Sequence, residues 1–152
     1  MSTLADRIYA FLNEEGHVVE TDGAIRNITR IHFRSRGLHF AVYVTRDDDR
    51  FLQVTCSMPI ETGVAFDSGL LRALWTCQRH FRDVKYALTG DAKRFVCSTE
   101  IVLPGTTADE AVFWRAIGVV EAGLYAAMRE IRARHMVKAA AEKFIAECLL
   151  PR

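Results

Sequence analysis

The chain has 152 residues, half of them hydrophobic, and its 20 Lys and Arg residues nearly balance 19 Asp and Glu residues, which leaves a net charge of +1. A chain of this length corresponds to one domain at 1–152, with a core at about 3–134 and a helical extension at 135–152. The charge balance predicts neither the basic face of a nucleic-acid-binding protein nor a polybasic segment that would adhere to a membrane.

The sequence carries no signal that would direct the protein out of the cytoplasm. The N-terminal residues lack the apolar segment of a signal peptide, and no stretch approaches the roughly 20 apolar residues of a membrane-spanning helix. The four cysteines, at positions 56, 77, 97 and 148, lie far apart in the sequence. We therefore expect a cytoplasmic protein whose thiols are reduced, buried as small apolar side chains and free of metal.

The first predicted element is a helix over residues 3–15. Its apolar residues recur at helical spacing, Thr3 and Asp6 form the pattern of a capping box, and a glycine follows its end. The polar connector 17–27 contains an Asp-Gly turn signal at 22–23, and its first four residues can form a short edge strand.

Three strands follow, and their alternation of apolar and polar residues selects one pairing register. With turns at 36–37 and 46–50, the facing apolar pairs are Phe33 with Phe40, Ile31 with Val42, Val44 with Leu52, Val42 with Val54 and Phe40 with Cys56. Side chains alternate along a strand, so this register places all the apolar members on one buried face. The opposite face receives His32, Arg34, His39 and Tyr43.

A second helix, two more strands and a long third helix complete the predicted chain. Asp67 is the predicted N-cap of the second helix, one side of which carries Leu70, Leu71, Leu74, Trp75, Gln78 and Phe81. Strands at 84–89 and 94–103 precede a helix that continues to about residue 149 and opens with a capping box at Thr107 and Glu110. The order α-β-β-β-α-β-β-α, with its C-terminal helical extension, predicts an α+β two-layer sandwich, an antiparallel sheet with helices on one face.

No sequence pattern selects a catalytic centre, a metal site or a cofactor. The nine glycines form no phosphate-binding loop, and the cysteines and histidines lack the spacing of zinc ligands. We therefore predict no catalytic residues, no metal and no cofactor. One alternative stays open, a small-molecule-binding or enzymatic site around His32, His39 and Tyr43 on the outer sheet face. The competing interpretation of these residues is the ordinary polar face of a half-buried sheet.

The third helix carries a second stripe besides its core face. Trp114, Gly118, Ala122 and Tyr125 lie along this stripe, where small residues permit close approach of another helix and aromatic residues favour an interface. Either a partner or the chain's own alanine-rich last segment can cover it. As one straight helix, 107–149 would span roughly 65 Å, longer than a domain of this size is wide, so it must bend, break or project onto a partner.

Two segments resemble a known family, LADRIYAFL at 4–12 and AVFWRAI at 111–117. Together with the order of elements, they resemble the YbjN-like bacterial proteins, which look in turn like class I type III secretion chaperones, small dimers with the same order. The resemblance covers about residues 3–134. It implies a non-enzymatic, dimeric, cytoplasmic protein that binds another polypeptide, as a chaperone or as a regulator linked to sensing and stress. It implies no catalytic residues.

The sequence therefore predicts a homodimeric protein-binding module, chaperone-like or a regulatory adaptor, whose partner is another polypeptide and neither a nucleic acid nor a membrane. A flat outer sheet face with an apolar two-fold contact elsewhere would fit this prediction. A deep pocket lined by the two outer-face histidines and the tyrosine would favour the small-molecule alternative.

Overall fold

Within the described residues the protein forms a six-stranded antiparallel sheet with helices on one face. The computed structural model describes residues 3–25, 27–60, 67–89, 91 and 93–148. The elements are α1 (Leu4–Glu14), β1 (Val19–Ile25), β2 (Ile28–Ser35), β3 (Leu38–Thr45), β4 (Phe51–Pro59), α2 (Ser68–His80), β5 (Lys85–Leu88), β6 (Arg94–Val102) and α3 (Asp109–Cys148). The strand order is β1-β2-β3-β4-β6-β5. The predicted α+β class and two-layer architecture are confirmed.

Helix α1 begins with the predicted capping box. The Thr3 hydroxyl oxygen accepts a hydrogen bond from the Asp6 backbone N–H at 3.2 Å, and the Asp6 carboxylate accepts one from the Thr3 N–H at 2.9 Å. Both bonds satisfy N–H groups that have no partner within the helix. The helix ends before Gly16, whose φ of +76° reverses the chain at low steric cost.

Strand β1 is a full member of the sheet, and the turn predicted at Asp22-Gly23 is wrong. β1 pairs with β2 from Val19, opposite Phe33, to Ile25, opposite Ile28. The register shifts between Asp22 and Ile25, so an irregularity within the strand accommodates the Asp-Gly pair and the chain reverses only afterwards.

The predicted register of β2, β3 and β4 is confirmed. Phe33 faces Phe40, and their rings stack with centroids 5.1 Å apart. The other predicted pairs, Ile31 with Val42, Val44 with Leu52, Val42 with Val54 and Phe40 with Cys56, are also present. Positive φ angles at Arg36 (51°) and Gly37 (78°) form the tight turn that joins β2 to β3.

The capping box predicted at Thr107 and Glu110 does not form. Helix α3 begins instead at Asp109, whose carboxylate accepts hydrogen bonds from the backbone N–H groups of Gly105 at 2.8 Å and Thr106 at 3.1 Å. The chain turns sharply at Gly105, where φ is +73°, and this turn brings the preceding loop onto the carboxylate of the first helical residue.

Helix α3 is continuous over 40 residues, a length of about 60 Å. The apolar side chains of its inner face are fully buried in the core, at Phe113, Val120 and Leu124. The segment Asp109–His135 is, among the described residues, long and apolar enough to pass for a membrane span, contrary to the sequence prediction. Its buried inner face identifies this segment as the core helix of the domain.

Gly123 lets α3 approach the sheet closely. A Cβ atom at this position would lie 3.1 Å from Val84 Cγ1 and 3.3 Å from Cys97 Sγ. The Gly123 carbonyl also accepts a hydrogen bond from the Tyr86 hydroxyl at 2.7 Å. The absence of a side chain therefore sets how deeply α3 lies on β5 and β6.

Candidate functional surfaces

The outer sheet face carries a polar cluster centred on His32. Its Nε2 atom lies 3.0 Å from Asp22 Oδ2, and Arg30 Nη1 lies 3.3 Å from the same oxygen. The ring of His32 stacks on that of His39 with centroids 5.2 Å apart. The His32 Nδ1 atom is buried and has no hydrogen-bond partner in the described part of the protein. If Nε2 donates its proton to Asp22, Nδ1 is an unused acceptor.

The surroundings of His39 disfavour its protonated form. Burial is the largest cause that lowers the pKa of His39, and the positive groups around it, His32, Arg34 and Arg94, lower it further. Glu20 alone opposes them. His39 therefore resists protonation, because a charge on its ring would stand beside other positive groups on this face.

Tyr43 does not join the two histidines in one pocket. The Arg30 guanidinium lies over its ring, 5.3 Å from the centroid. A depression of about 450 Å³ at the edge of the sheet is lined by His32 and His39 but not by Tyr43. The described residues contain no group of three side chains able to hold a metal ion. The predicted trio is thus a histidine pair and a separate cation–π contact.

Two of the cysteines face each other in the core. Cys56 on β4 pairs with Cys97 on β6, and both side chains are fully buried, as predicted. Burial raises the pKa of Cys56 to about 12, and it raises the pKa of Cys97 as well. Cys77 is only half-buried, contrary to the prediction, because it lies at the border of α2 and α3. The side chain of Cys148 lies outside the part of the chain that the structure describes.

The predicted contact stripe on α3 is largely open to solvent. Gly118 and Ala122 are exposed, and Tyr125 is 47% exposed. Trp114 is half-buried, with its ring centroid 5.8 Å from that of His17. Because α3 continues without a break, the helical segment 135–148 does not fold back over this stripe. The role of these residues in binding a partner stays a prediction. The apolar side chains of the amphipathic pattern predicted from residue 137 onward lie outside the described residues.

Helix α2 and strand β5 form a groove that the sequence did not predict, called here the α2–β5 groove. Leu71 and Trp75, predicted to lie with Leu74 on one apolar side, are 52% and 64% exposed, whereas Leu74 is 6% exposed. Leu88 of β5 lines the opposite wall, and the groove has a volume of about 290 Å³. The apolar side chains of α2 span a wider arc of the helix than the sheet and α3 bury, so Leu71 and Trp75 stay exposed. No signal in the sequence indicated this, because the pattern predicted a strand at 84–89 and only the structure shows that β5 has four residues.

Comparison with known proteins identifies the fold. No family model and no curated protein matches the sequence. Among solved structures, an uncharacterized protein from Methanothermobacter thermautotrophicus matches with a TM-score of 0.66 at 14% identity, over 86% of this chain and 98% of that one. YbjN from E. coli, described as a candidate transcription regulator, matches with a TM-score of 0.53 at 12% identity, over 87% of this chain and 92% of that one. The chain therefore has a YbjN-like fold, as the sequence resemblance implied.

Proposed function

We propose that the protein is a non-enzymatic, cytoplasmic protein-binding module that acts as a homodimer, as a regulatory adaptor or a chaperone-like protein. The observation that carries the proposal is the exposure of large apolar side chains on two helices, Leu71 and Trp75 on α2 and Tyr125 on α3. Single exposed apolar residues are ordinary, but neighbouring ones mark surfaces where another protein binds. The similarity in fold to YbjN, described as a candidate regulator, supports the regulatory form of the proposal.

We place the proposed dimer contact on the stripe of α3 formed by Trp114, Gly118, Ala122 and Tyr125, called here the α3 stripe. Apart from the adjacent residues and the nearby backbone of α3 itself, no described heavy atom lies within 4 Å of the point where a Cβ of Gly118 would stand, so a second helix can approach the backbone there. In a two-fold contact the same patch serves both chains, and two α3 helices that cross at Gly118 and Ala122 would cover both Tyr125 rings. The ion pair between Arg36 and Glu121, 3.3 Å long, can form the polar rim of such a contact.

Sedimentation velocity over a wide range of protein concentrations tests the homodimer. We expect a dimer that Gly118→Arg dissociates, because a long charged side chain at the crossing point prevents close approach. Ala10→Arg, at an exposed position of α1, is the matched control and should leave the dimer intact. A chain that is monomeric at every concentration contradicts the homodimer. A dimer that Gly118→Arg leaves unchanged lies elsewhere on the surface.

A second variant decides what the end of α3 contributes. The chain cut after Arg134 lacks the helical extension. A weaker dimer would assign the extension to the interface, and an equally tight dimer would leave the contact to the α3 stripe alone.

The alternative function, a small-molecule-binding or enzymatic site, is supported by one observation, the buried and unpartnered Nδ1 of His32. A ligand that donates a hydrogen bond to this atom would satisfy it. NMR spectra of the imidazole groups of His32 and His39, recorded with a panel of metabolite-sized compounds, distinguish the two functions. Saturable shifts confined to these two side chains favour the alternative, whereas the protein-binding proposal expects none.

A further inference from the structure

We infer that the α2–β5 groove binds an extended acidic segment of a partner polypeptide, which adds to the free edge of β5 and inserts apolar side chains beside Trp75. This inference rests on the proposed function and assigns the partner polypeptide to a surface separate from the α3 stripe. Three features carry it, namely the backbone edge of β5, the exposed apolar walls of the groove and the charge of α2.

Strand β5 offers a free backbone edge. It pairs with β6 on one side and is the last strand of the sheet, so no described strand pairs with its other side. Proteins often protect such an edge with a lysine. Here the Lys85 ammonium is held on the outer face by Glu100 at 2.9 Å, so it does not shield the edge, and no described residue hydrogen-bonds to that edge from the open side. An extended polypeptide satisfies the N–H and C=O groups of such an edge by joining the sheet.

The groove beside this edge supplies binding sites for the side chains of an added strand. Alternate side chains of a strand point to the same face, so every second residue of the added segment would enter the groove. The walls there are apolar, formed by Leu71 and Trp75 on α2 and by Leu88 on β5. Trp75, the most exposed of the three at 64%, is the residue type that most often dominates the binding energy of an interface.

The charge of α2 selects an acidic segment. Arg79 follows Trp75 by one helical turn and Arg72 precedes it by three residues, so both are neighbours of Trp75 on the helix surface. Neither lines the groove itself, and Arg72 also lines the depression between α2 and α3. Neither forms an ion pair with a carboxylate in the described part of the chain. The stretch 68–88 has one acidic residue, Asp83, against four basic ones, which are Arg72, Arg79, Arg82 and Lys85. Carboxylates of a partner would complement this excess of positive charge.

The same charge argues against a second copy of this chain as the occupant. A two-fold contact through the α2–β5 groove would present to Arg72 and Arg79 the same basic stretch of the second chain, in which residues 68–88 have one acidic residue, Asp83. Like charges brought together across an interface disfavour binding. An acidic polypeptide meets the apolar walls and the arginines together, whereas a second copy meets only the apolar walls.

Selection of random octapeptides displayed on phage, carried out on the full chain, tests the inference. The enriched sequences should carry apolar and acidic residues two positions apart, because side chains on one face of an added strand reach both the groove and the arginines of α2. A synthetic peptide of the most enriched sequence should shift the indole N–H resonance of Trp75 and leave that of Trp114 in place. Trp75→Ser should weaken its binding by about tenfold or more, the size of effect expected at a residue that dominates an interface. Val18→Ser, which removes an exposed apolar side chain elsewhere, should leave the affinity unchanged.

Charge reversal supplies a second, independent readout. The double variant R72E/R79E should lose its affinity for the acidic peptide and gain affinity for the same peptide with lysine in place of its acidic residues. Unchanged preference in this variant, enrichment of sequences without acidic residues, or enrichment of no sequence at all would overturn the inference. So would equal enrichment on the Trp75→Ser variant.

The remaining outcomes separate this inference from the homodimer. A Trp75 resonance that shifts with the concentration of the protein alone would identify a second copy in the groove and overturn the inference. A dimer sensitive to Gly118→Arg, together with no peptide binding, would contradict the inference and leave the homodimer in place. A monomer that binds the acidic peptide would contradict the homodimer and support the inference.

Discussion

Arg7 of helix α1 forms an ion pair with Asp109, the first residue of α3, and the Asp109 side chain is almost fully buried. The same guanidinium donates a hydrogen bond through Nη2 to the Asp49 carbonyl at 2.7 Å. One side chain thus connects two helices and the loop between β3 and β4. Since Asp109 also accepts two backbone hydrogen bonds, its carboxylate organises the start of the core helix.

Loss of Arg7 should therefore destabilise the protein. Arg7→Met keeps much of the apolar stem but leaves the buried carboxylate without a counter-charge. We expect a loss of about 1–3 kcal/mol in the free energy of unfolding, below the usual cost of breaking a buried pair because Arg7 is partly exposed. Urea denaturation measures it. The control is Arg36→Met, which removes the exposed partner of Glu121 and should cost less than about 1 kcal/mol. Equal losses in the two variants would contradict the special role of Arg7.

Phe40 should be among the residues on which the core depends most. Its side chain is fully buried and its ring stacks on Phe33. Phe40→Ala removes the ring and leaves a cavity, so we expect a loss on the order of 3–5 kcal/mol in urea denaturation. Val18→Ala, at a side chain that is 84% exposed, should change the free energy of unfolding by less than about 0.5 kcal/mol. An unfolding midpoint unchanged by Phe40→Ala would be incompatible with the observed register.

The buried thiols should be unreactive in the folded protein. Burial raises the pKa of both Cys56 and Cys97, so little thiolate forms near neutral pH and reagents cannot reach it. Peptide mass spectrometry after iodoacetamide treatment should find both unmodified in the native protein and both modified in urea. Cys77, which is half-buried, should react ahead of them. Native labelling of Cys56 as fast as in urea would show that the sheet opens at this position.

Acidification should cost stability through His39. The pKa of His39 is lowered from its ordinary value of 6.5, chiefly by burial, so the unfolded chain binds the proton more readily than the folded one. The stabilisation is present above about pH 6.5 and is lost as the pH falls through the lowered folded pKa. His39→Gln should therefore lose less of its urea midpoint than the parent between about pH 7.5 and pH 5. An NMR titration midpoint of His39 at or above 6.5 would contradict this.

The sequence predicted those parts of the fold that depend on local patterns. A slip of one residue would have turned Phe33 and Phe40 toward water, so the alternation alone specified their pairing. The sequence predicted only a short edge strand here because Glu20, Thr21 and Asp22 interrupt the apolar residues, whereas backbone pairing with β2 holds the whole strand. The Arg7–Asp109 pair joins residues 102 positions apart, and no local pattern encodes such a contact.

The candidate surfaces were predicted less completely. Alternation placed His32 and His39 on the outer face, and their diagonal positions on β2 and β3 allow the observed stacking. Tyr43 was expected with them, but Arg30 covers its ring instead. Helical periodicity showed that α2 has an apolar arc, yet only the tertiary arrangement shows that β5 is too short to cover Trp75.

The close contact at Gly123 makes α3 a lever. From this contact the helix continues 25 residues to Cys148, a distance of about 37 Å. A tilt of about 5° around Gly123 would displace the far end by about 3 Å, roughly the length of a hydrogen bond. Any tilt of α3 about its contact with Val84 and Cys97 is therefore largest at the end of the helix, where the displacement is enough to make or break contacts.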